Sequence, residues 1–315
     1  MAGGRVGVVV QVPDAATAVG LIVQAEEAGI PAAWMTTGAV QADALTTFAA
    51  AAARTTKILL GSAIIPTWPR NPVFIVQQVE ALESLAPGRI RLGIGPSTEA
   101  GMRPFGVRFR RPLTQLREYL TVLRSLLHNG EVDFQGSFVR ARARIARPLP
   151  TPVMASALQE GAFELCGELS DGAISWVCPP SYLLGRGLAA LRRGAKAAGR
   201  EPPPLIMHVP ICIEEDGEAV REAAQRQIGM YARFQFYSDM FGAAGFPDAA
   251  AGLSRALVEE LVAFGSEEAV AKRLAELAGL GFGEVMAMPI AAGENRQASV
   301  QRAYAAVAGA ARLLA

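Results

Sequence analysis

Short runs of apolar, often β-branched residues alternate along the chain with longer segments whose apolar residues recur every three or four positions. The short runs are typical of strands buried on both faces, and the longer segments are typical of amphipathic helices. Eight strands, each followed by a helix, favour a closed (β/α)8 TIM barrel over an open doubly wound sheet. The predicted strands are Arg5–Val12, Ala32–Met35, Lys57–Ile65, Arg89–Gly95, Pro152–Ser156, Gly172–Val177, Leu205–Ile213 and Gly283–Ile290.

The clearest helix follows the fourth strand, and two insertions interrupt the alternation. The helix is predicted to begin at Pro112 and to end near Gly130. Insertions are predicted after strands 4 and 7: Asn129–Pro150 has the pattern of a small hairpin, and Glu214–Gly265 is rich in Phe, Tyr and Met. Nothing in the sequence is typical of a flexible linker, so residues 1–315 are predicted to form a single domain. The leucines that define the helix are Leu113, Leu116, Leu120, Leu123 and Leu127.

The composition limits the classes of partner. Apolar residues make up 51% of the chain, enough for a large core, and the net charge of +1 argues against nucleic-acid binding through bulk charge. The sequence has no apolar run of 18 residues and no signal-peptide pattern. We therefore expect a cytoplasmic protein that acts on a small-molecule substrate, without nucleic-acid or membrane partners.

Cysteines and histidines are too few and too scattered to predict a metal site. Cys166, Cys178 and Cys212 match neither a Cys-x-x-Cys pair nor a metal-ligand spacing, and they are predicted to be reduced core residues. The chain has two histidines, His128 and His208. We expect no bound metal.

The stretch RLGIGPSTEAG (91–101) contains a Gly-x-Gly pair that could be taken for a dinucleotide-binding loop. The third glycine of that fingerprint is replaced by Thr98, and the loop follows the fourth strand rather than the first. A Rossmann-type site is therefore excluded. Two interpretations of Gly93 and Gly95 remain: they relieve crowding inside the barrel, or they serve a site at the carboxyl ends of the strands, where barrel enzymes carry their chemistry.

Six segments occur in one order across nearly the whole chain and carry a family resemblance. They are AEEAGIPAAWM, KILLGSAIIPTWPRNP, SLAPGRIRLGIGPS, FGVRFRRPLTQLREYLTVLRSLL, LSDGAIS and GSEEAVAKRLAELAGLGFGEV. Together they resemble the bacterial luciferase-like superfamily and, more narrowly, its branch that uses the deazaflavin coenzyme F420. The resemblance implies an F420-dependent oxidoreductase that transfers hydride. Two alternatives are an FMN-dependent monooxygenase and a non-catalytic cofactor-binding barrel. Relatives are commonly dimers, which implies a homodimer.

The resemblance also implies where the cofactor lies. It places a bulge with a cis peptide at the end of the third strand, at Ala63–Ile64, and the cofactor phosphate at the loop Ala155–Gly161. The two glycines of the fourth strand would leave room for the flat ring. Read from the residues alone, barrel packing, an ordinary helix cap at Ser156 and a core tryptophan are the alternatives. The residues expected to bind the cofactor are Gln11, Thr36, Ser62, Ala63, Ile64, Gly95, Pro96, Ser97, Ala155, Ser156, Ala157, Gly161 and Trp176.

The proton-transfer residues of better-known F420 dehydrogenases are missing here. Those enzymes place a His after the second strand and a Glu after the fourth, where this chain has Trp34–Thr37 and Thr98. The candidate catalytic residues are therefore Thr98, the neighbouring Glu99, and His208 on the seventh strand. Glu99 could equally be a solvated surface residue. His128, near a helix end, is expected to be structural.

Two further features fit the cofactor and the substrate. Arg103, Arg108, Arg110 and Arg111 lie within nine residues just after the glycine loop, and F420 carries a phosphate and an acidic oligoglutamate tail. The aromatic insertion after strand 7 is expected to form a lid over a partly apolar substrate.

Overall fold

The structure, a computed structural model, describes residues 4–38, 42–292 and 296–315. Within these ranges eight parallel strands pair side by side into a closed barrel: β1, β2, β3, β5, β8, β9, β10 and β12, with β12 returning to β1. The predicted fold class is confirmed. The strands are β1 Arg5–Val9, β2 Ala32–Met35, β3 Leu59–Ser62, β4 Ile65–Pro66, β5 Ile90–Gly95, β6 Glu131–Gln135, β7 Arg140–Arg144, β8 Val153–Ser156, β9 Gly172–Ile174, β10 Leu205–Cys212, β11 Ala263–Phe264 and β12 Glu284–Pro289.

Helices surround the barrel. Their starts follow the sequence signals closely: Asp14, Asp43 and Asn71 each cap a helix by accepting a backbone N–H bond. The helices are α1 Ala15–Glu27, α2 Ala44–Ala52, α3 Pro72–Leu85, α4 Glu99–Met102, α5 Pro112–Arg124, α6 Glu160–Leu169, α7 Pro180–Tyr182, α8 Leu188–Ala197, α9 Gly217–Ile228, α10 Gln235–Ala243, α11 Arg255–Leu261, α12 Glu267–Ala278 and α13 Arg296–Leu313. In the described ranges no helix is long and apolar enough to cross a membrane.

The first strand ends at Val9 rather than at the predicted Val12. The third and sixth strands also differ from their predicted bounds. The third is interrupted at residues 63 and 64, so that β3 pairs with β2 and the short β4 pairs with β5. The sixth ends at Ile174 rather than Val177. Val177 has a left-handed backbone (φ 49°), and its N–H donates to the His208 ring instead of a neighbouring strand. Both departures lie at the carboxyl ends of the strands, the mouth of the barrel.

A buried polar cluster fills the lower part of the barrel. The Glu284 carboxylate accepts a hydrogen bond from the Trp34 indole (2.6 Å) and pairs with the Arg91 guanidinium (2.6 Å). The guanidinium also lies 4.0 Å from the centre of the Trp34 ring. Because all three side chains are buried, each depends mainly on the others for its polar contacts. The sequence did not predict this cluster.

Both predicted insertions are present. The first is an antiparallel hairpin, β6 with β7, in the connection from α5 to β8. Its tip returns towards the mouth: the Glu118 carboxylate of α5 accepts three tip N–H bonds, and the Phe138 ring lies edge-on to Trp68, 5.8 Å between centroids. The second contains α9, α10, α11 and β11.

Candidate cofactor and substrate site

The interruption of the third strand forms a bulge at the mouth. The peptide bond between Ala63 and Ile64 is cis, as predicted. The Ala63 N–H donates to the Met35 carbonyl (2.7 Å), and the Thr37 N–H donates to the Ile64 carbonyl (3.3 Å), so the bulge is tied to the second strand. Ala63 is buried, whereas the Ile64 side chain remains half-buried.

Gly93 is required by the protein rather than by a ligand. A Cβ at this position would lie 2.0 Å from the Ser62 carbonyl oxygen and 2.5 Å from Ile174 Cδ1. Ser62 is fully buried; its hydroxyl accepts from the Gly93 N–H (2.8 Å) and donates to the Gly93 carbonyl (2.9 Å). The expectation that Gly93 leaves room for a flat ring is therefore wrong, because neighbouring strands fill that space. Ser62 fastens the bulge to the fourth strand from below.

Gly95 brings three predicted cofactor residues together. A Cβ there would lie 2.1 Å from Ser156 Oγ and 3.3 Å from Ile64 Cγ1. The space beside Gly95 is thus taken by the Ser156 hydroxyl, not left open for a ring as expected. Ile64, Gly95 and Ser156, from the third, fourth and fifth strands, meet at one point of the mouth.

Several hydroxyls at this point are available to a ligand. The hydroxyls of Thr36, Ser97 and Ser156 form no hydrogen bond with any described residue. Thr36 and Ser156 are half-buried, and Ser97 is exposed. Ser97 has a left-handed backbone (φ 61°), which turns the loop after Gly95 and Pro96 outwards. Gln11 is exposed at the end of the first strand.

The loop after the fifth strand leads into α6 without a side-chain cap. Gln159 occupies the cap position, but its amide donates to the Phe236 carbonyl (3.1 Å) of the second insertion. Gly161, in the first turn, is exposed. The first N–H groups of a helix and its positive end together favour an anion. Ala157 is buried, and its N–H donates to the Ile174 carbonyl (2.9 Å), which holds this loop in the barrel wall.

The buried Ala155 lies in the same wall, where its carbonyl faces the Cys166 thiol at 3.5 Å. Trp176, just beyond the sixth strand, is half-buried and stacks on the His208 ring, 3.7 Å between centroids with 24° between planes. His208 Nδ1 accepts from the Val177 N–H (3.2 Å), so the proton of the neutral ring is on Nε2, which faces Met288 Sδ at 3.4 Å. Complete burial lowers the pKa of His208 to about 3. These contacts make His208 a neutral support for Trp176.

The three candidate catalytic residues are not brought together. Thr98 caps α4, its hydroxyl accepting from the Gly101 N–H (3.1 Å), and Glu99 follows it as an exposed residue of the first turn. His208 lies in the barrel wall behind Trp176. Proton transfer by any of them stays a prediction.

The second insertion contacts the segments after the fifth and sixth strands, through Phe236 with Gln159 and Tyr231 with Trp176. Tyr231 lies 5.1 Å from Tyr237 between ring centroids, and Tyr237 lies 6.5 Å from Phe241. Burial raises the pKa of Tyr231, and the Trp176 indole beside its hydroxyl opposes part of this shift. The aromatic row therefore extends the wall that Trp176 and His208 begin.

Sequence reasoning missed the contact between Ser156 and Gly95, and also the role of Arg91. The two-residue period of a strand places Arg91, Gly93 and Gly95 on one inward face, which was the signal available for both. Among the described residues no cluster of three or more His, Cys, Asp or Glu side chains could hold a metal ion.

Comparisons with known proteins relate the whole chain to a family. The luciferase-like monooxygenase model matches residues 2–284. The chain is 27% identical to the 5,10-methylenetetrahydromethanopterin reductase of Methanolobus tindarius over 207 residues, 65% of this chain and 63% of that protein. It is 31% identical to the F420-dependent glucose-6-phosphate dehydrogenase of Nakamurella multipartita over 179 residues, 54% of this chain and 53% of that protein. The match thus spans less than two thirds of each relative.

Solved structures share the whole fold. An F420-dependent secondary alcohol dehydrogenase in complex with an F420-acetone adduct superposes with a TM-score of 0.81 at 17% identity, covering 98% of this chain and 99% of that one. The oxygenating constituent of 3,6-diketocamphane monooxygenase from Pseudomonas putida, in complex with FMN, gives 0.71 at 16% identity, covering 99% and 98%. With the family model matched over most of its length, the chain belongs to the luciferase-like monooxygenase family.

Proposed function

We propose that the chain is a coenzyme F420-dependent oxidoreductase that transfers hydride between the deazaflavin and a small, partly apolar organic substrate. The meeting of Ile64, Gly95 and Ser156 at the mouth carries the proposal, because it joins three strand ends beside hydroxyls that the protein itself leaves unused. The names of similar proteins support the choice of F420.

The residues present fit such a cofactor. Ser156 and the uncapped start of α6 would hold its phosphate, since free N–H groups at a helix start bind anions. The bulge at Ala63–Ile64 would back the ring, and Trp176 would close one side. When bound, the deazaflavin supplies a carbon-centred hydride donor or acceptor; the protein supplies position and a dry surface. Gln11, Thr36, Pro96 and Ser97 would line the rim.

The aromatic row of the second insertion would hold the substrate. Tyr231 is half-buried and packs 5.1 Å from the buried Tyr237, so the aromatic row offers a mostly apolar surface, which supports a partly apolar substrate. Of the candidate catalytic residues, Thr98 is engaged as a cap and His208 is buried, whereas Glu99 has no ion-pair partner among the described residues. We assign proton transfer to Glu99.

Equilibrium binding and protection from heat test the cofactor assignment. Titration with F420 and with FMN, followed by the melting temperature at saturating ligand, should show binding and stabilisation by F420 alone. Binding of FMN without F420 would replace the proposal with an FMN-dependent monooxygenase. Tight F420 binding without hydride exchange towards a panel of enones, imines and ketones would indicate a non-catalytic barrel.

We also propose a homodimer located in the cytoplasm. Phe74 and Leu85 of α3 are exposed to 67% and 51%, an apolar surface that a second copy would cover. All three cysteines are free and buried, which supports a reducing compartment. Sedimentation equilibrium should show a dimer for the wild type and a monomer for Phe74→Glu. A monomeric wild type would exclude the proposed homodimer.

A further inference from the structure

The segment Arg103–Arg111 holds four positive charges that form no salt bridge with a described residue. Arg103, Arg108, Arg110 and Arg111 are all exposed, and none lies within salt-bridge distance of a carboxylate of a described residue. Many other arginines are paired; Arg193, for example, contacts both Glu160 and Glu164. We call residues 103–111 the arginine segment.

Local structure does not explain these arginines. Arg111 is the cap residue of α5, yet it has a left-handed backbone (φ 49°) and no side-chain cap bond. The start of a helix carries partial positive charge and favours anions, so cations are the least suitable residues there. Glu118, whose pKa Arg111 helps to lower, already binds three N–H groups of the hairpin tip. A cation at a helix start and a left-handed non-glycine backbone are both unfavourable for the fold, and such local conflicts are expected at functional sites.

Apolar contacts fix the arginine segment at the rim of the mouth. Phe109 lies 5.5 Å from Trp68 between ring centroids, and the Arg110 guanidinium lies 5.6 Å from the centre of the Phe138 ring. The next residue but one after the segment, Leu113, approaches the start of α6: a Cβ on Gly161 would lie 3.5 Å from Leu113 Cδ2. The carboxyl end of the arginine segment therefore lies near the helix start to which the proposed function assigns the cofactor phosphate.

We propose that the arginine segment is a subsite for the anionic tail of the cofactor. It would take the carboxylates that continue from the phosphate, in a protein whose whole net charge is only +1. This inference rests on the proposed function. Guanidinium groups suit carboxylates and phosphates because they offer paired N–H donors in one plane. The exposure of the side chains predicts a binding contribution that salt screens.

The test compares tail lengths. Dissociation constants are measured by calorimetry for three ligands: F420 with its oligoglutamate tail, the form without glutamates, and the deazaflavin riboside without phosphate. They are measured for the wild type, Arg108→Gln/Arg110→Gln, and the control Arg147→Gln/Arg192→Gln. The control removes two other exposed arginines that have no ion-pair partner in the described part of the chain. Melting temperatures without ligand establish that each variant folds.

The double variant should bind full-length F420 about five-fold more weakly, since exposed ion pairs contribute roughly 0.2–1 kcal/mol each and 1.4 kcal/mol is ten-fold. The riboside should bind equally to all three proteins, and 0.5 M salt should remove the difference. An equal loss of affinity for all three ligands, or no loss of affinity for F420 with its oligoglutamate tail, would overturn the proposed subsite. If the segment instead serves a substrate anion, KM for an anionic substrate changes while cofactor affinity does not. Absence of riboside and F420 binding in the wild type contradicts the proposed function instead.

Discussion

The lower barrel and the mouth use the same kinds of residue in opposite ways. Below, Trp34, Arg91 and Glu284 bond to one another, and Ser62 makes both of its hydrogen bonds to Gly93. At the mouth, the Ser156 hydroxyl makes no hydrogen bond, and the arginine segment makes no salt bridge, with a described residue. The difference separates groups that hold the fold from groups to which the proposed function assigns a ligand. It can be tested by making the same kind of change in both regions.

Glu284→Gln should have the largest effect. The amide cannot neutralise Arg91, whose guanidinium is then buried without a counter-charge, and we expect about 4 kcal/mol less free energy of unfolding in urea. Glu222→Gln, at an exposed pair with Arg226 (3.6 Å), should change stability by less than about 0.5 kcal/mol. A small effect at Glu284 would mean that the lower cluster does not stabilise the barrel.

Gly93→Ala should be the next most severe. The added Cβ would lie 2.0 Å from the Ser62 carbonyl oxygen, so β3 and β5 could not keep their present pairing. We expect the free energy of unfolding, measured by thermal unfolding, to fall by about 3 kcal/mol. Gly20→Ala in α1 is the matched control, because nothing lies within 4 Å of the added Cβ. That change should stabilise the protein by about 0.5 kcal/mol through helix propensity. Equal effects at the two glycines would remove the steric explanation.

The alternation of strands and helices was predictable because each element carries its own local signal. Helix α5 begins at its predicted residue, Pro112, because proline is favoured at the first position of a helix. The bulge at Ala63–Ile64 came from family resemblance, not from periodicity. Local pattern gives no access to the Trp34–Arg91–Glu284 cluster, whose members meet only once strand register is set. The reason why positions 93 and 95 must be glycine was equally inaccessible, because it depends on which residues of neighbouring strands fill the space beside them.

His208 lies between the two regions and should make stability depend on pH. Burial lowers its pKa from 6.5 to about 3 in the folded state, so the unfolded chain binds more protons between these values. Its contribution to stability is therefore complete above pH 6.5 and falls on acidification by up to about 1.4 kcal/mol per pH unit until about pH 3. Urea unfolding from pH 7 to 5 should show this slope. His208→Gln should lose it, and His128→Gln should keep it. An unchanged slope in His208→Gln would assign the acid sensitivity to other groups.

Replacing Ser62 and Ser156 by alanine should give the smallest changes in stability, but the two variants should differ in which property they lose. Ser62→Ala leaves the buried N–H and carbonyl of Gly93 without the hydroxyl, so stability should fall by about 1.5 kcal/mol. Ser156→Ala keeps the Cβ and removes a hydroxyl that no described residue uses, so stability should change by less than about 0.5 kcal/mol. If Ser156 bonds a charged phosphate, F420 affinity should fall about ten-fold in Ser156→Ala. A stability loss in Ser156→Ala with unchanged affinity would return Ser156 to the group of residues that hold the fold. Because the two hydroxyls differ chiefly in having partners, the pair of variants isolates that difference.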